Sequence, residues 1–126
     1  MTQFLVDTNV LIWLSTDDPR INQIKSLLFS ENSQIFFSAV SLWEITIKIR
    51  SGKLPAEFHK IHSLARQHHF HELPITSDYM KAYLELPHFH KDPFDHMLLA
   101  QAITCPMRFV TGDSFLAEYS SLVITV

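Results

Sequence analysis

The chain has one cysteine, Cys105, and two glycines, Gly52 and Gly112, among 126 residues. A single cysteine excludes an internal disulfide framework and any zinc or iron–sulfur site built from several thiolates. It fits a reducing compartment. Two distant glycines exclude both a P-loop and a G-x-G-x-x-G dinucleotide turn. Long apolar runs are also missing. The early stretch at residues 10–14 follows Asp7 and falls far short of the ~20 residues that a spanning helix needs. The first basic residue is Arg20, so no basic segment precedes an export signal. The expected location is therefore the cytoplasm, with no membrane segment. Basic charge is scarce, and a formal net charge of −3 excludes nucleic-acid binding by bulk charge alone. A local basic patch remains compatible with it. Apolar residues make up 47% and charged residues 18%, which excludes intrinsic disorder and allows a core without staples. The length suits one domain over residues 1–126.

Short apolar runs alternate with helical patterns. Phe4-Leu5-Val6 reads as a buried strand ending at Asp7, followed by a short helix from Thr8 to Leu14. Asp18-Pro19 is an N-cap followed by proline at the first helical position, before Ile21, Ile24, Leu27 and Leu28. Gln34 to Phe37 reads as a second strand. Residues 44–50 alternate polar and apolar like a strand. Ser41-Leu42-Trp43-Glu44 nevertheless fits a capping box and Gly52 fits a helix C′ position, so helix is preferred. Leu54-Pro55 opens a further helix, with Phe58, Ile61, Leu64 and Ala65 as its apolar stripe. His71 to Ile75 is a strand that Pro74 marks as an edge or an end. Thr76-Ser77-Asp78 starts a helix through Leu84. Asp92-Pro93 repeats the cap signature before an apolar helix to Ile103. Arg108 to Val110 is a strand, Gly112-Asp113 a turn, Ser114 to Glu118 a short helix and Leu122 to Val126 a last strand. This alternation predicts an α/β fold with a central parallel sheet flanked by helices on both faces. Ligands of such sheets bind at the carboxyl ends of the strands, where the strand order switches.

Four acids are placed to meet at that edge. Asp7 and Asp113 follow apolar strands, and Glu44 and Asp95 lie near the starts of helices that begin there. Like charges brought together raise one another's pKa, and a hard divalent cation removes the conflict. Such a cation can polarise a phosphoryl oxygen and lower the pKa of a bound water. Each acid also has a plainer reading. Asp7 can be an N-cap, Glu44 the glutamate of a capping box, Asp95 a complement to a helix N-terminus and Asp113 a turn residue. Separate caps, however, need not converge on one edge.

The chain resembles PIN-domain endoribonucleases, in particular VapC-type toxins of bacterial toxin–antitoxin pairs. The residues that carry the resemblance are Phe4-Leu5-Val6-Asp7-Thr8-Asn9 with Leu11-Ile12-Trp13, then Ser41-Leu42-Trp43-Glu44-Ile45 with Lys48. The block His90-Lys91-Asp92-Pro93-Phe94-Asp95 with Leu98-Leu99-Ala100-Gln101-Ala102 is the most specific. Thr111-Gly112-Asp113 with Phe115 and Tyr119 completes it. The resemblance covers nearly the whole chain. It implies a single PIN-like domain, dependence on Mg²⁺ with Mn²⁺ able to substitute, and cleavage of single-stranded RNA. Asp7, Glu44, Asp95 and Asp113 match the acidic quartet that would hold the metal and carry catalysis. Thr8 or Asn9, Thr111 and Ser41 would orient those acids. The resemblance also implies a cognate antitoxin on an apolar helical surface, and a homodimer. The family usually has arginine where this chain has His96. Asp92 is a rival to Asp95 and reads as the helix N-cap.

The remaining candidates divide between function and plain structure. Lys48, Arg50, Lys53 and Lys91 form either a phosphate-guiding set for RNA or solvated helix faces. The histidines match no metal motif and are expected to be solvated. Trp13, Trp43 and Phe94 are expected in the core. Two rival functions remain. A haloacid-dehalogenase-like phosphatase would use Asp7 as a covalent nucleophile, but it wants a second aspartate where Asn9 stands. A catalytically silent PIN-fold binding module would be expected to have lost acids, and all four are present.

Overall fold

The computed structural model describes residues 1–88 and 92–126. The predicted Lys91, and His90 beside it, lie outside the described residues. Five strands, β1 (Thr2–Val6), β2 (Ser33–Ser38), β3 (His71–Leu73), β4 (Arg108–Thr111) and β5 (Val123–Thr125), form one sheet in the order β3-β2-β1-β4-β5. Every pairing is parallel, with Val6 beside Val110 and Leu5 beside Phe36 and Phe109. The chain walks outward from β1 to β3, then returns to the other side of β1. The switch point therefore lies between β1 and β4.

Six α-helices cover the sheet among the described residues: α1 (Thr8–Thr16), α2 (Lys25–Leu28), α3 (Ala39–Arg50), α4 (Phe58–Gln67), α5 (Met80–Glu85) and α6 (Pro93–Thr104). Alternation along the central strands feeds two cores. Phe4, Val6, Ile35, Phe37 and Val110 pack with Val10, Leu11, Ile45, Ile61 and Ala65 from α1, α3 and α4. Leu5 and Phe109 face the other way, onto Leu98, Leu99 and Ala102 of α6. Burial on both faces explains why these strands read as unbroken apolar runs. None of the described helices is long and apolar enough to cross a membrane.

Several boundaries differ from the sequence reading. The Asp18-Pro19 start yields a 3₁₀ turn over Pro19–Gln23 and then the one-turn α2. The helix expected from Leu54-Pro55 begins only at Phe58, and that expected from Thr76 opens as a 3₁₀ turn, Ser77–Tyr79. The Ser114 to Glu118 segment is likewise a 3₁₀ turn. β3 stops at Leu73, before Pro74, and it is an edge strand as expected. At the end of α3, Gly52 (φ +77°) takes the C′ position. Its N–H bonds the Ile49 carbonyl while that of Lys53 bonds Lys48, the paired bonds of a Schellman motif.

The capping box at Ser41 is corrected. Ser38, the last residue of β2, caps α3 by accepting from Val40 N–H at 3.0 Å. Glu44 thus falls in the second turn of α3, too far along to cap its start. Trp43 is corrected as well. Val40, Ser41, Glu44 and Ile45 form the buried face of α3, leaving Trp43 59% exposed with its ring edge against Phe94 at 5.3 Å. Phe94 is half-buried, whereas Trp13 is buried as expected.

Gly112 is required by close approach. A Cβ there would stand 2.6 Å from Cη2 of the Trp13 indole. That ring is buried and carries the Arg20 guanidinium 4.6 Å from its centroid. Gly112→Ala is expected to destabilise the fold by ~1–3 kcal/mol through overpacking. Chemical denaturation of the variant checks this, and an unchanged midpoint would show that Trp13 yields freely.

Candidate active site

Asp7 is the residue immediately after β1. Its backbone N–H extends the ladder to Val110 O at 2.8 Å, which fixes the carboxylate at the switch point. Oδ1 accepts from Thr8 N–H at 2.7 Å, so the N-cap reading also holds. Oδ2 accepts from Thr111 Oγ1 at 2.6 Å. The same Thr111 hydroxyl accepts from Asp113 N–H at 3.0 Å. One side chain at the end of β4 therefore sets the two strand-end acids relative to each other. Asp113 caps the turn after it, accepting from Phe115 N–H at 3.0 Å.

Glu44 arrives from α3 and is 7% exposed. Thr8 Oγ1 lies 2.8 Å from Glu44 Oε1 and 2.9 Å from Ser41 Oγ. Thr8 has one hydroxyl proton. With Glu44 ionised, Thr8 donates to it and accepts from Ser41. Lys48, one turn further along α3, closes an ion pair to Glu44 Oε2 at 2.8 Å. This contact raises the lysine pKa, with Asp92 and Asp95 adding to the effect. Lys48 thus serves as a counter-ion within the acid cluster. Arg50 and Lys53 are exposed and lie toward the other end of α3, about 9 Å or more along the axis from Glu44. The fold does not bring them to the acids. Asn9 is exposed, and among the described residues no hydrogen bond joins its side chain to an acid.

Asp95 is the third residue of α6. Asp92 caps that helix, accepting from Phe94 N–H at 2.9 Å and Asp95 N–H at 3.2 Å. Asp92, Asp95, Asp113 and Phe115 line an open cleft of about 440 Å³. Asp7, only 4% exposed, and Glu44 are buried, while Asp113 is exposed and Asp95 half-buried. Burial pushes Asp7 up to about 6, opposed by its bonds from Thr111 and Thr8 and assisted by the charges of Glu44 and Asp113. Burial also pushes Asp95 up to about 8, with Asp7, Asp92, Glu44 and Asp113 all repelling its ionised form. The four acids named from the sequence therefore act on one another.

Among the described residues, no three His, Cys, Asp or Glu side chains already stand as a metal-ligand group. Mg²⁺ keeps several of its waters and takes one or two carboxylates together with substrate phosphates, so it does not require a closed set of protein ligands. The donor set is all hard oxygen, and two of its members resist ionisation when no cation is near. Asp92 is separable from this set by substitution. Asn is as good a cap as Asp, so Asp92→Asn should keep both stability and Mn²⁺ affinity, whereas Asp92→Ala should lose about 1 kcal/mol of stability. A large loss of Mn²⁺ affinity in Asp92→Asn, measured by calorimetry, would make Asp92 a ligand.

Two features were not expected from the sequence. His96 is 7% exposed rather than solvated, its Nε2 lying 3.1 Å from the Tyr119 hydroxyl. This ties α6 to the end of the turn that follows Asp113. Gln101, fully buried on α6, accepts from Ser38 Oγ at 2.6 Å and donates to Pro74 O at 3.2 Å. It joins the carboxyl ends of β2 and β3 to α6. Its one sequence signal is that it is the sole polar residue in Leu98-Leu99-Ala100-Gln101-Ala102.

A parallel sheet with interacting acids at its switch point defines an α/β domain built to gather negative charge at one edge. The PIN domain family profile matches residues 4–122, and the chain belongs to that family. No curated protein matches it in sequence. Among solved structures it is similar to VapBC2 from Rickettsia felis bound to a promoter DNA fragment, with TM-score 0.71 and 16% identity over 99% of this chain and 98% of that one. A toxin–antitoxin complex from Klebsiella pneumoniae gives TM-score 0.69 and 20% identity over 96% and 95%. DNA-bound VapBC from Salmonella typhimurium gives 0.68 and 17% over 100% and 98%.

Proposed function

We propose that this chain is a Mg²⁺-dependent endoribonuclease of the VapC toxin type, restrained by a cognate antitoxin. The observation that carries the reading is the gathering of Asp7, Glu44, Asp95 and Asp113 at one edge of a PIN-domain sheet, with Asp7 and Glu44 buried there and Thr111 and Thr8 bonded to the acids. These four residues would hold the cation, and Mn²⁺ would substitute. When bound, the metal supplies Lewis acidity toward a phosphodiester and toward the water that attacks it. The chain's own groups do the positioning. Thr111 holds Asp7 and Asp113 in register, the Ser41–Thr8 hydroxyl relay fixes Glu44, and Lys48 balances charge from the side. Raised as it is, Asp95 can hold a proton near neutral pH in the metal-free protein. No side chain is required as a covalent nucleophile. Cys105 lies against the Tyr79 hydroxyl at 4.0 Å, outside the acid cluster.

The antitoxin reading is supported by the toxin–antitoxin assemblies among the structural neighbours. An apolar groove of about 360 Å³, lined by Trp43, Ile75, Met80, Tyr83, Phe94 and Met97, gives such a partner a docking face. Exposed Ile47 and Leu84 extend the apolar surface and suit a homodimer. The test is cleavage of transfer, ribosomal and messenger RNA by partner-free protein, with Mg²⁺, with Mn²⁺ and with EDTA. Cleavage that EDTA abolishes is expected. Well-folded protein that neither cleaves RNA nor binds Mn²⁺ would instead favour the silent binding module.

A further inference from the structure

Gln101 sits where the fold has least use for a polar side chain. It is fully buried on α6 among Leu98, Leu99, Ala100 and Ala102, which are buried as well. A methionine would fill nearly the same volume with no amide to desolvate. The partners of the amide account for its presence. Nε2 donates to Pro74 O at 3.2 Å, which turns Oε1 toward Ser38 Oγ at 2.6 Å. Ser38 Oγ in turn accepts from Val40 N–H at 3.0 Å, the cap of α3. A carbonyl only accepts, so each bond has one direction: the amide donates to Pro74, and the Ser38 hydroxyl donates to the amide. We propose that Gln101 is a positioning residue of the metal site: through Ser38 it fixes the start of α3 against α6, and so holds Glu44 where it can share a cation with the other acids. The assignment rests on the ribonuclease reading.

Ser38 and Ser41 both hold the start of α3. Ser38 ties it to α6 through Gln101, and Ser41 ties it to Thr8, just past β1, at 2.9 Å. Thr8 also bonds Glu44 at 2.8 Å. α6 carries Asp95 in its own first turn. The Ser38–Gln101 contact therefore joins the two helices that carry acids to the sheet edge. Without it, α3 is free to shift about the Thr8 bonds. A set of ligands works only when it is held within about 0.5 Å of its productive geometry. Gln101 reaches no solvent, and its amide oxygen and nitrogen are engaged by Ser38 and Pro74. Any effect of its replacement on metal or RNA must therefore pass through the elements it joins.

The test uses the full chain. Gln101→Met, Ser38→Ala and the double variant are compared with wild type and with Ile61→Ala, a cavity variant in the α4 core that controls for lost stability. Each is studied at a temperature where thermal denaturation shows it folded. Calorimetry reads Mn²⁺ affinity, and RNA cleavage gives kcat and KM. Gln101→Met is expected to weaken Mn²⁺ binding about 10-fold and to lower kcat to a similar degree, with KM unchanged. Ile61→Ala should match wild type in all three. The double variant should lose no more than the worse single one, since both changes break the same contact. If Gln101→Met does not fold, Ser38→Ala breaks that contact from the other side and must show the same split between kcat and KM. A folded Gln101→Met that is less stable yet keeps wild-type Mn²⁺ affinity and kcat overturns the assignment, leaving Gln101 a purely structural residue. So do equal losses in Ile61→Ala, or losses that add in the double variant. None of these touches the ribonuclease reading, because wild type still binds Mn²⁺ and cleaves. The Mn²⁺ readout decides even where the chosen RNA is not cut. A wild type that neither binds Mn²⁺ nor cleaves RNA overturns the ribonuclease reading and the assignment with it.

Discussion

Asp7→Asn is expected to lower RNA cleavage by more than ~100-fold and yet leave the metal-free protein at least as stable as wild type at pH 7.5. The first effect follows from position. Asp7 sits at the switch point between β1 and β4, and removing residues that merely orient a metal ligand already costs 10–100-fold. The second follows from its burial. Asp7 is raised from 3.8 to about 6, and at ~1.4 kcal/mol per pH unit its ionisation in the empty site opposes folding by ~3 kcal/mol. Asparagine removes that charge and keeps the shape. Its carbonyl can still accept from Thr8 N–H, which cannot reverse its role. Its amide would face Thr111 Oγ1, whose hydroxyl can turn to accept. Some of the gain is lost there, since Thr111 also accepts from Asp113 N–H. Thermal denaturation in EDTA beside an RNA cleavage assay reads both effects. A marked loss of apo stability would mean that Asp7 is chiefly a structural cap.

The metal-free protein is expected to lose stability as pH rises from about 5 to 8. Asp7 and Asp95 both have folded pKa values above the ordinary 3.8, at about 6 and about 8. Between those limits the folded chain holds more protons than the unfolded one. Stability is therefore fully present below pH ~4 for these two groups and declines as pH climbs through their folded values. Paired surface carboxylates give the opposite slope. A bound divalent cation favours the ionised acids, so the stabilisation by Mn²⁺ should grow with pH. Melting temperatures at pH 5, 6, 7 and 8, each with EDTA or with Mn²⁺, would show two curves diverging toward high pH. Parallel curves would contradict the placement of these acids in one cluster.

Much of this site was legible in the sequence because its signals are local. A strand that ends in an acid, proline at the first helical position after Asp92, and glycine at the C′ position are choices the backbone makes within a few residues. They located the strands, α6 and the end of α3. The four acids followed, since parallel strands and the helices after them deliver residues to the same edge. What could not be read depends on which faces are covered. Trp43 looks like core by type, but α3 turns Val40, Ser41, Glu44 and Ile45 inward and leaves the indole beside an open groove. His96 looks solvated by type, yet it is buried with Tyr119, which lies far along the chain. The capping box at Ser41 was a true motif in the wrong frame. The helix begins three residues earlier than that box would start it, at Ala39, under a cap from Ser38, and both box residues point instead to Thr8.

The proposed function requires that the four carboxylates act as one set that takes up a divalent cation. The most direct measurement is calorimetric titration of the protein with Mn²⁺ at pH 7, in two buffers of different ionisation enthalpy. Binding with a net release of protons, and loss of that binding in Asp7→Asn, is the predicted result. Absence of binding, or binding that releases no proton and survives Asp7→Asn, would contradict it.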